Sequence, residues 1–276
     1  MKKIKILLLL TVITTLLFTG CGKNENELVM VTEAGFAPFE YVKGMNIVGV
    51  DVDIMNEVGK RLNKRVQFEN ISFDLIIDIV KEGKMANVGA AGLSITQERK
   101  EKVDFSKEYY KAKLCVIYNT NNIEKNNIKT MSDGNIGIYW SNLNSTKGIG
   151  VQIGTTADLF LSDEISEGGT LENTRVSYYS NLETAVQDIG LNIDYVIIDE
   201  LPAKQLVKNN MNLNYIPLYY EGEEDIQACD SYAIAVTKGQ DQLLKTINDV
   251  LDEMLNTFDE NGINTIEQLI NKHLGL

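Results

Sequence analysis

Between Leu28 and Ala91 short apolar runs alternate with amphipathic helical stretches, and that rhythm leaves few folds open. Leu28-Val29-Met30-Val31-Thr32 reads as a buried strand, and Val66-Gln67-Phe68-Glu69 as a second. Between them Ile54, Met55, Val58 and Leu62 recur at helical spacing, which predicts a helix over Val50 to Asn63. A second helix is expected over Phe73 to Lys81, with Leu75, Ile76, Ile79 and Val80 inward, and a third strand at Val88-Gly89-Ala90-Ala91. Strand–helix–strand–helix–strand calls for a mostly parallel sheet covered by helices on both faces, an α/β fold. The connection Glu33 to Tyr41, with Phe36, Pro38 and Phe39, reads as a loop.

The rhythm then restarts. Leu114 to Tyr118 is a further strand, and the polar stretch Asn119 to Asn127 reads as a crossing into another lobe. Strands are expected at Ile149–Ile153, Arg175–Tyr178 and Tyr195–Ile198, alternating with helices from Thr156, over Leu182–Asp188 and over Leu201–Val207. Ser231 to Val236 returns as a strand, and two helices close the chain, Asp241–Phe258 and Ile263–His273.

Ligands of open α/β sheets bind beyond the carboxyl ends of the strands. Glu33 follows the first strand, Gly92 and Ser94 the third, Gly154-Thr155-Thr156 the strand ending at Ile153, and Asp199 the strand ending at Ile198. Thr96, with Glu98, Arg99 and Glu101 behind it, has the pattern of a helix N-terminus, which suits an anion. Arg99 on that first turn adds a planar fork of donors matched to a carboxylate. From these residues alone it could equally be a solvated arginine on a capped surface helix, and Thr155, Thr156 and Asp199 could be helix caps.

A net charge of −13, more negative once Lys2, Lys3 and Lys5 leave with a leader, argues against nucleic acid as a partner. The N-terminus has the form of such a leader. Met1 to Lys5 is basic, Ile6 to Phe18 is an apolar run too short for a comfortable membrane span, and Gly20-Cys21 precedes a polar stretch. This resembles a bacterial lipoprotein signal peptide over residues 1–20, cut so that the Cys21 thiol carries lipid and residues 21–27 form a tether. Phe18 departs from the leucine usual in such leaders.

Cys115 and Cys229 could pair outside the cell, although both lie beside apolar strand-like runs where a buried thiol is ordinary. His273 is the only histidine and reads as an exposed helix-end residue. One His and two remaining Cys make neither a zinc site nor a Ser-His-Asp triad easy to assemble, so no metal, cofactor or catalytic residue is called for.

Several stretches in order resemble the extracytoplasmic solute-binding proteins of polar amino-acid ABC transporters. They are Ala37-Pro38-Phe39-Glu40-Tyr41, Gly49-Val50-Asp51-Val52-Asp53, Ala91 to Thr96 with Glu98-Arg99, and Val103-Asp104-Phe105-Ser106 with Tyr109-Tyr110. Downstream are Gly150 to Thr156, Ile193-Asp194-Tyr195 with Asp199-Glu200, and Tyr232 to Val236. The resemblance implies a two-lobed periplasmic-binding-protein-like fold of the second type, with two hinge crossovers. Lobe one would hold residues 28–118 and 228–276, and lobe two residues 119–227. It implies that Arg99 holds a ligand α-carboxylate with Ser94, Thr155 and Thr156, and that Asp199 takes the α-ammonium with the Gly92 carbonyl. Phe36 and Phe73 would sandwich the ligand side chain, with Glu33 near its far end. The implied partners are a free amino acid, polar and basic or cystine-like among the options, an ABC permease, and the membrane through lipid on Cys21. The receptor would be a monomer on the extracytoplasmic face.

Departures from the family pattern are also legible. Asn87 stands where an aspartate is usual, and Gln152 where some relatives carry a positive group. Asn135 to Lys147, with the lone Trp140, is longer than the usual connection and reads as a surface excursion or a contact for a partner. The rival readings are an enzyme on the same scaffold, for which only Glu33 could serve as general acid, and a surface sensing or adhesion protein.

Overall fold

The computed structural model describes residues 26–124, 127–143 and 145–276. The expected signal peptide and the Cys21 lipid site lie outside the described residues. The first strand, Glu27–Thr32, begins on the last residue of the expected tether.

Two sheets organise the chain. The first has the spatial order Arg65–Asn70, Glu27–Thr32, Val88–Gly89, Ala235–Val236, Asp104–Phe105. All run the same way except Ala235–Val236, which is antiparallel to both neighbours. Helix Val50–Leu62 buries Ile54, Met55 and Val58 on one face of this sheet. Leu243, Ile247, Val250 and Leu251 of helix Asp241–Asn256 and Ile266, Ile270 and Leu274 of helix Thr265–Leu274 complete that core. Helix Ile76–Glu82 covers the other face through Ile76, Ile77 and Val80, against Val31, Leu93 and Val103.

The second sheet runs Val176–Tyr179, Ile149–Gln152, Tyr195–Asp199, Tyr110–Asn119, Leu213–Tyr220, Ile136–Tyr139, Lys129–Thr130. The first three are parallel, and Tyr110–Asn119 is antiparallel to both of its neighbours. The start of Tyr110–Asn119 pairs with Cys229–Tyr232 and its end with Tyr195–Asp199 and Leu213–Tyr220. The expected lobe boundary at residue 118 thus falls inside this strand. Helices Thr156–Ile165, Leu182–Gln187 and Glu200–Val207 flank the sheet.

Three regions differ from the sequence reading. The expected loop after Thr32 is a small antiparallel sheet of Gly35–Phe36, Glu40–Lys43 and Asn46–Val48. Gly44, at φ 65°, makes the tight turn that lets the last two pair.

Strand Leu213–Tyr220 was not foreseen, because Asn214 and Pro217 interrupt its apolar pattern. Pro217 is tolerated at the end of its ladder with Cys115.

The Asn135–Lys147 segment is not a surface excursion. Ile136–Tyr139 adds a strand beside Leu213–Tyr220, and Trp140 is 1% exposed, packed with Tyr220 at a ring separation of 6.1 Å. Burial in the second core rules Trp140 out as a surface contact.

One further expectation is corrected, and one pairing left open by the sequence is resolved. His273 is not exposed: its side chain is 7% accessible, with Nε2 3.0 Å from Asp53 and Nδ1 3.2 Å from the Tyr41 hydroxyl. The helix end rests against Asp53 of helix Val50–Leu62 and Tyr41 of the small sheet instead of in solvent, which buries the ring. Cys115 and Cys229 are both free. Cys229 faces Lys113 across the ladder, and Cys115 is buried two residues further on, so the strand register keeps the thiols apart. Among the described residues no helix is long and apolar enough to cross a membrane.

Candidate functional site

The carboxyl ends of the strands in the two sheets meet. A small cavity of about 30 Å³ lies between them. Glu33, Phe36, Phe73, Gly92 and Ser94 line it from the first sheet's side; Thr155, Thr156 and Asp199 line it from the second's. Eight of the nine residues singled out in the sequence therefore line one cavity.

The ninth, Arg99, stands just behind. It is 8% exposed, which excludes the solvated reading. The short helix Gln97–Lys102 starts at Thr96, whose hydroxyl accepts the Arg99 backbone N–H at 3.2 Å. This sets the side chain toward the cleft, with the guanidinium 5.6 Å from the Phe73 ring centroid. Nη1 donates to Ser94 O at 2.7 Å, and Nη2 donates to Gly154 O at 2.8 Å. The second bond crosses from one sheet's loops to the other's. The Ser94 and Thr156 hydroxyls, 3.1 Å apart, make a second crossing. Burial lowers the Arg99 pKa, while Asp230 and then Glu98 favour its charge. At a guanidinium this leaves the cation intact.

Thr155 caps helix Thr156–Ile165, accepting the Asp158 N–H at 3.3 Å and donating to Gln152 O at 2.8 Å. Its cap role and its place on the cavity wall coexist. Asp199 is different. It occupies the N-cap position of Glu200–Val207 but makes no side-chain cap bond. Its Oδ1 is buried away from any backbone donor, and the Tyr232 hydroxyl is the polar group beside the carboxyl. Burial lifts the Asp199 carboxyl to about 7; the nearby Tyr232 hydroxyl opposes this and the Asp230 charge adds to it. A buried acceptor facing a cavity is strongly favoured by a cationic donor placed against it.

Gly92 adopts φ 54°, and a Cβ there would fall 2.7 Å from Phe36 Cε1. Only glycine lets the Phe36 ring lie against that turn. At the opposite end burial raises the Glu33 pKa, a hydrogen bond from Gln152 opposes the rise, and the Glu183 charge adds to it. Gln152 was missed as a site residue. It is 2% exposed, lines the cavity, and donates through Nε2 to Ser180 O at 3.2 Å. The signal was present, since a glutamine at the end of an otherwise apolar buried strand needs a polar reason to be there. Apolar wall comes from Ala157, Leu182, Ile197 and Ile198.

The arrangement joins a buried guanidinium, hydroxyl groups, a carboxylate with one buried oxygen left over and two aromatic rings around one space. Such a set suits a small zwitterion, whose carboxylate wants donors and whose ammonium wants acceptors.

Known proteins resemble this chain along most of its length. A "Probable histidine-binding protein" of Neisseria gonorrhoeae is 27% identical over 230 residues, covering 82% of this chain and 76% of that one. The "Arginine-binding extracellular protein ArtP" of Bacillus subtilis is 27% identical over 267 residues, covering 93% of each. Among solved structures, the amino acid ABC transporter substrate-binding protein AbpA of Streptococcus pneumoniae, bound to L-arginine, superposes with a TM-score of 0.74. It is 26% identical, with 91% of this chain and 95% of that one covered. The likeness carries the two-lobed, type-two periplasmic-binding fold expected from the sequence. Residues 28–275 match the family described as bacterial extracellular solute-binding proteins, family 3, and the chain belongs to that family.

Proposed function

We propose that this solute-binding protein captures a free amino acid between its two sheets and delivers it to an ABC permease. The observation that carries the reading is a buried cationic fork, Arg99, and a carboxylate with one buried oxygen left over, Asp199, beside one cavity. Arg99 takes the α-carboxylate with the Ser94 and Thr156 hydroxyls, and Asp199 takes the α-ammonium with the Gly92 carbonyl. Phe36 and Phe73 enclose the side chain and exclude water that would weaken both ends.

Glu33, with Gln152 and Glu183 beside it, gives the far end acidic character. This favours a basic side chain, in keeping with the arginine- and histidine-binding names of the relatives. L-Arginine is the first candidate. Residues 28–118 with 228–276 and residues 119–227 act as the two moving bodies. The ligand bridges them, and closure is a hinge motion that needs no covalent chemistry. The receptor works as a monomer, held to the membrane by lipid on Cys21 and facing outward.

The test is mass spectrometry of whatever is released when freshly purified protein is denatured, paired with thermal shifts on L-arginine, L-histidine, L-glutamine and L-cystine. A released amino acid and the largest shift with L-arginine are expected. No shift with any amino acid would overturn the receptor reading, and turnover of a substrate by the purified protein would replace it with an enzymatic one.

A further inference from the structure

Behind the Gly92 turn lie two carboxyl groups that the binding chemistry does not use. Glu40 and Asp51 are both 0% exposed. Gly49 is what brings them together. Its φ is 143°, and a Cβ there would fall 2.0 Å from Phe39 O, so the chain passes in direct contact. Val50 N donates to Pro38 O at 3.1 Å and Asp51 N to Phe39 O at 3.0 Å, which zips the segment holding Glu40 to the start of helix Val50–Leu62.

Asp51 is well supplied with donors: Tyr109 Oη reaches Oδ1 at 2.6 Å, and the Gly92 N–H reaches Oδ2 at 3.3 Å. Glu40 has none, for both of its oxygens are buried without a donor. The groups facing Glu40 are Asp51 and Glu33, and those facing Asp51 are Tyr109, Glu40 and the Gly92 amide. None is cationic. Two adjacent carboxylates in such a setting cannot both stay ionised, and one proton held between them supplies the missing donor.

Resting on the receptor reading of the cavity, we propose that Glu40 and Asp51 share one proton and are positioning residues for the Gly92 turn. Two routes run from the pair to that turn. Asp51 holds the Gly92 amide directly, and Glu40 sits opposite Phe36 in the small sheet, whose ring packs on Gly92. Burial and the neighbouring charge push Glu40 well above the ordinary carboxylate range, in agreement with a retained proton. When the pH rises far enough to strip that proton, two anions face each other, the small sheet and helix Val50–Leu62 separate locally, and the Gly92 carbonyl leaves its place.

The experiment follows the Gly92 amide resonance against pH in the wild type and in Glu40→Gln, alongside L-arginine affinity by calorimetry. Glutamine keeps a donor for Asp51 and cannot ionise. The wild-type Gly92 signal is expected to titrate above the ordinary carboxylate range, with affinity falling about tenfold more than in Glu40→Gln over the same window. Tyr109→Phe removes a donor to Asp51 and should move the wild-type midpoint upward; it also serves if Glu40→Gln does not fold. A Gly92 signal that does not titrate, or titrates identically in Glu40→Gln, or a midpoint unmoved in Tyr109→Phe, overturns the pair while leaving the receptor reading standing. A Glu40-dependent titration in a protein that binds no amino acid keeps the pair and removes the receptor reading.

Discussion

Arg99 Nη2 lies 2.8 Å from Gly154 O, so the residue assigned to a ligand carboxylate also fastens the two halves of the molecule together. On the proposed function, one side chain would contribute both to ligand affinity and to the population of the closed form.

Arg99→Ala is expected to cost about 2–5 kcal/mol of binding, the range for truncating one partner of a buried charge pair. That corresponds to roughly a thirtyfold to several-thousandfold weaker Kd. Arg99→Lys should fall between, because a point charge cannot engage two acceptors as a planar fork does. Calorimetry with L-arginine reads the affinity, and small-angle scattering should show a more open average shape in the alanine variant. Undiminished affinity removes Arg99 from its role.

Asp199 carries a pH signature. Its carboxyl is easier to protonate in the folded chain, at about 7, than in the unfolded one. The native protein therefore holds an extra proton from the ordinary aspartate range up to about pH 7. This contribution to stability is complete below that window and is lost as the pH rises through about 7. Amino-acid affinity should run the other way, weakening as the pH falls below about 7 and Asp199 becomes neutral. Asp199→Asn should melt higher than the wild type at mildly alkaline pH without ligand, and should respond to no amino acid. Melting curves across pH with and without L-arginine check both signs.

Gly92→Ala puts a side chain at φ 54° and within 2.7 Å of the Phe36 ring. The backbone term alone costs roughly 1–2 kcal/mol. The clash adds a displacement of Phe36 into the cavity. A drop in both melting temperature and affinity is expected, whereas Gly44→Ala, at φ 65° with nothing within 4 Å, should lower stability without touching affinity.

Trp140→Ala should destabilise by about 3–5 kcal/mol, the usual penalty for emptying a large aromatic site. Trp140→Phe keeps more of the packing and should cost less. Chemical denaturation measures both. An unaltered midpoint for the alanine variant would contradict the burial of this ring against Tyr220.

The alternation of strands and helices in each half was legible, as was the convergence of Glu33, Gly92, Ser94, Thr155, Thr156 and Asp199, because strand ends in a parallel sheet lie on one side. What the sequence hid depended on long-range partners. Ile136–Tyr139 becomes a strand only because Leu213–Tyr220 passes beside it, and nothing local to Trp140 separates a core tryptophan from a surface one. His273 sits at a helix end, where exposure is the ordinary outcome; its burial needs Asp53 and Tyr41, both more than two hundred residues earlier. Arg99 was ambiguous until its guanidinium could be traced to two backbone carbonyls. Gln152 escaped because its chemistry belongs to Glu33, on the other side of the cleft.

Ala235–Val236 occupies an interior place in the first sheet, wedged between Val88–Gly89 and Asp104–Phe105. During synthesis, the early strands therefore wait with their middle gap open until nearly the entire polypeptide has been made. The strands between Tyr110 and Tyr232 can meanwhile join one another first. Assembly of this receptor is thereby ordered from the inserted half outward, and a chain cut short before residue 235 would carry a sheet that no longer closes.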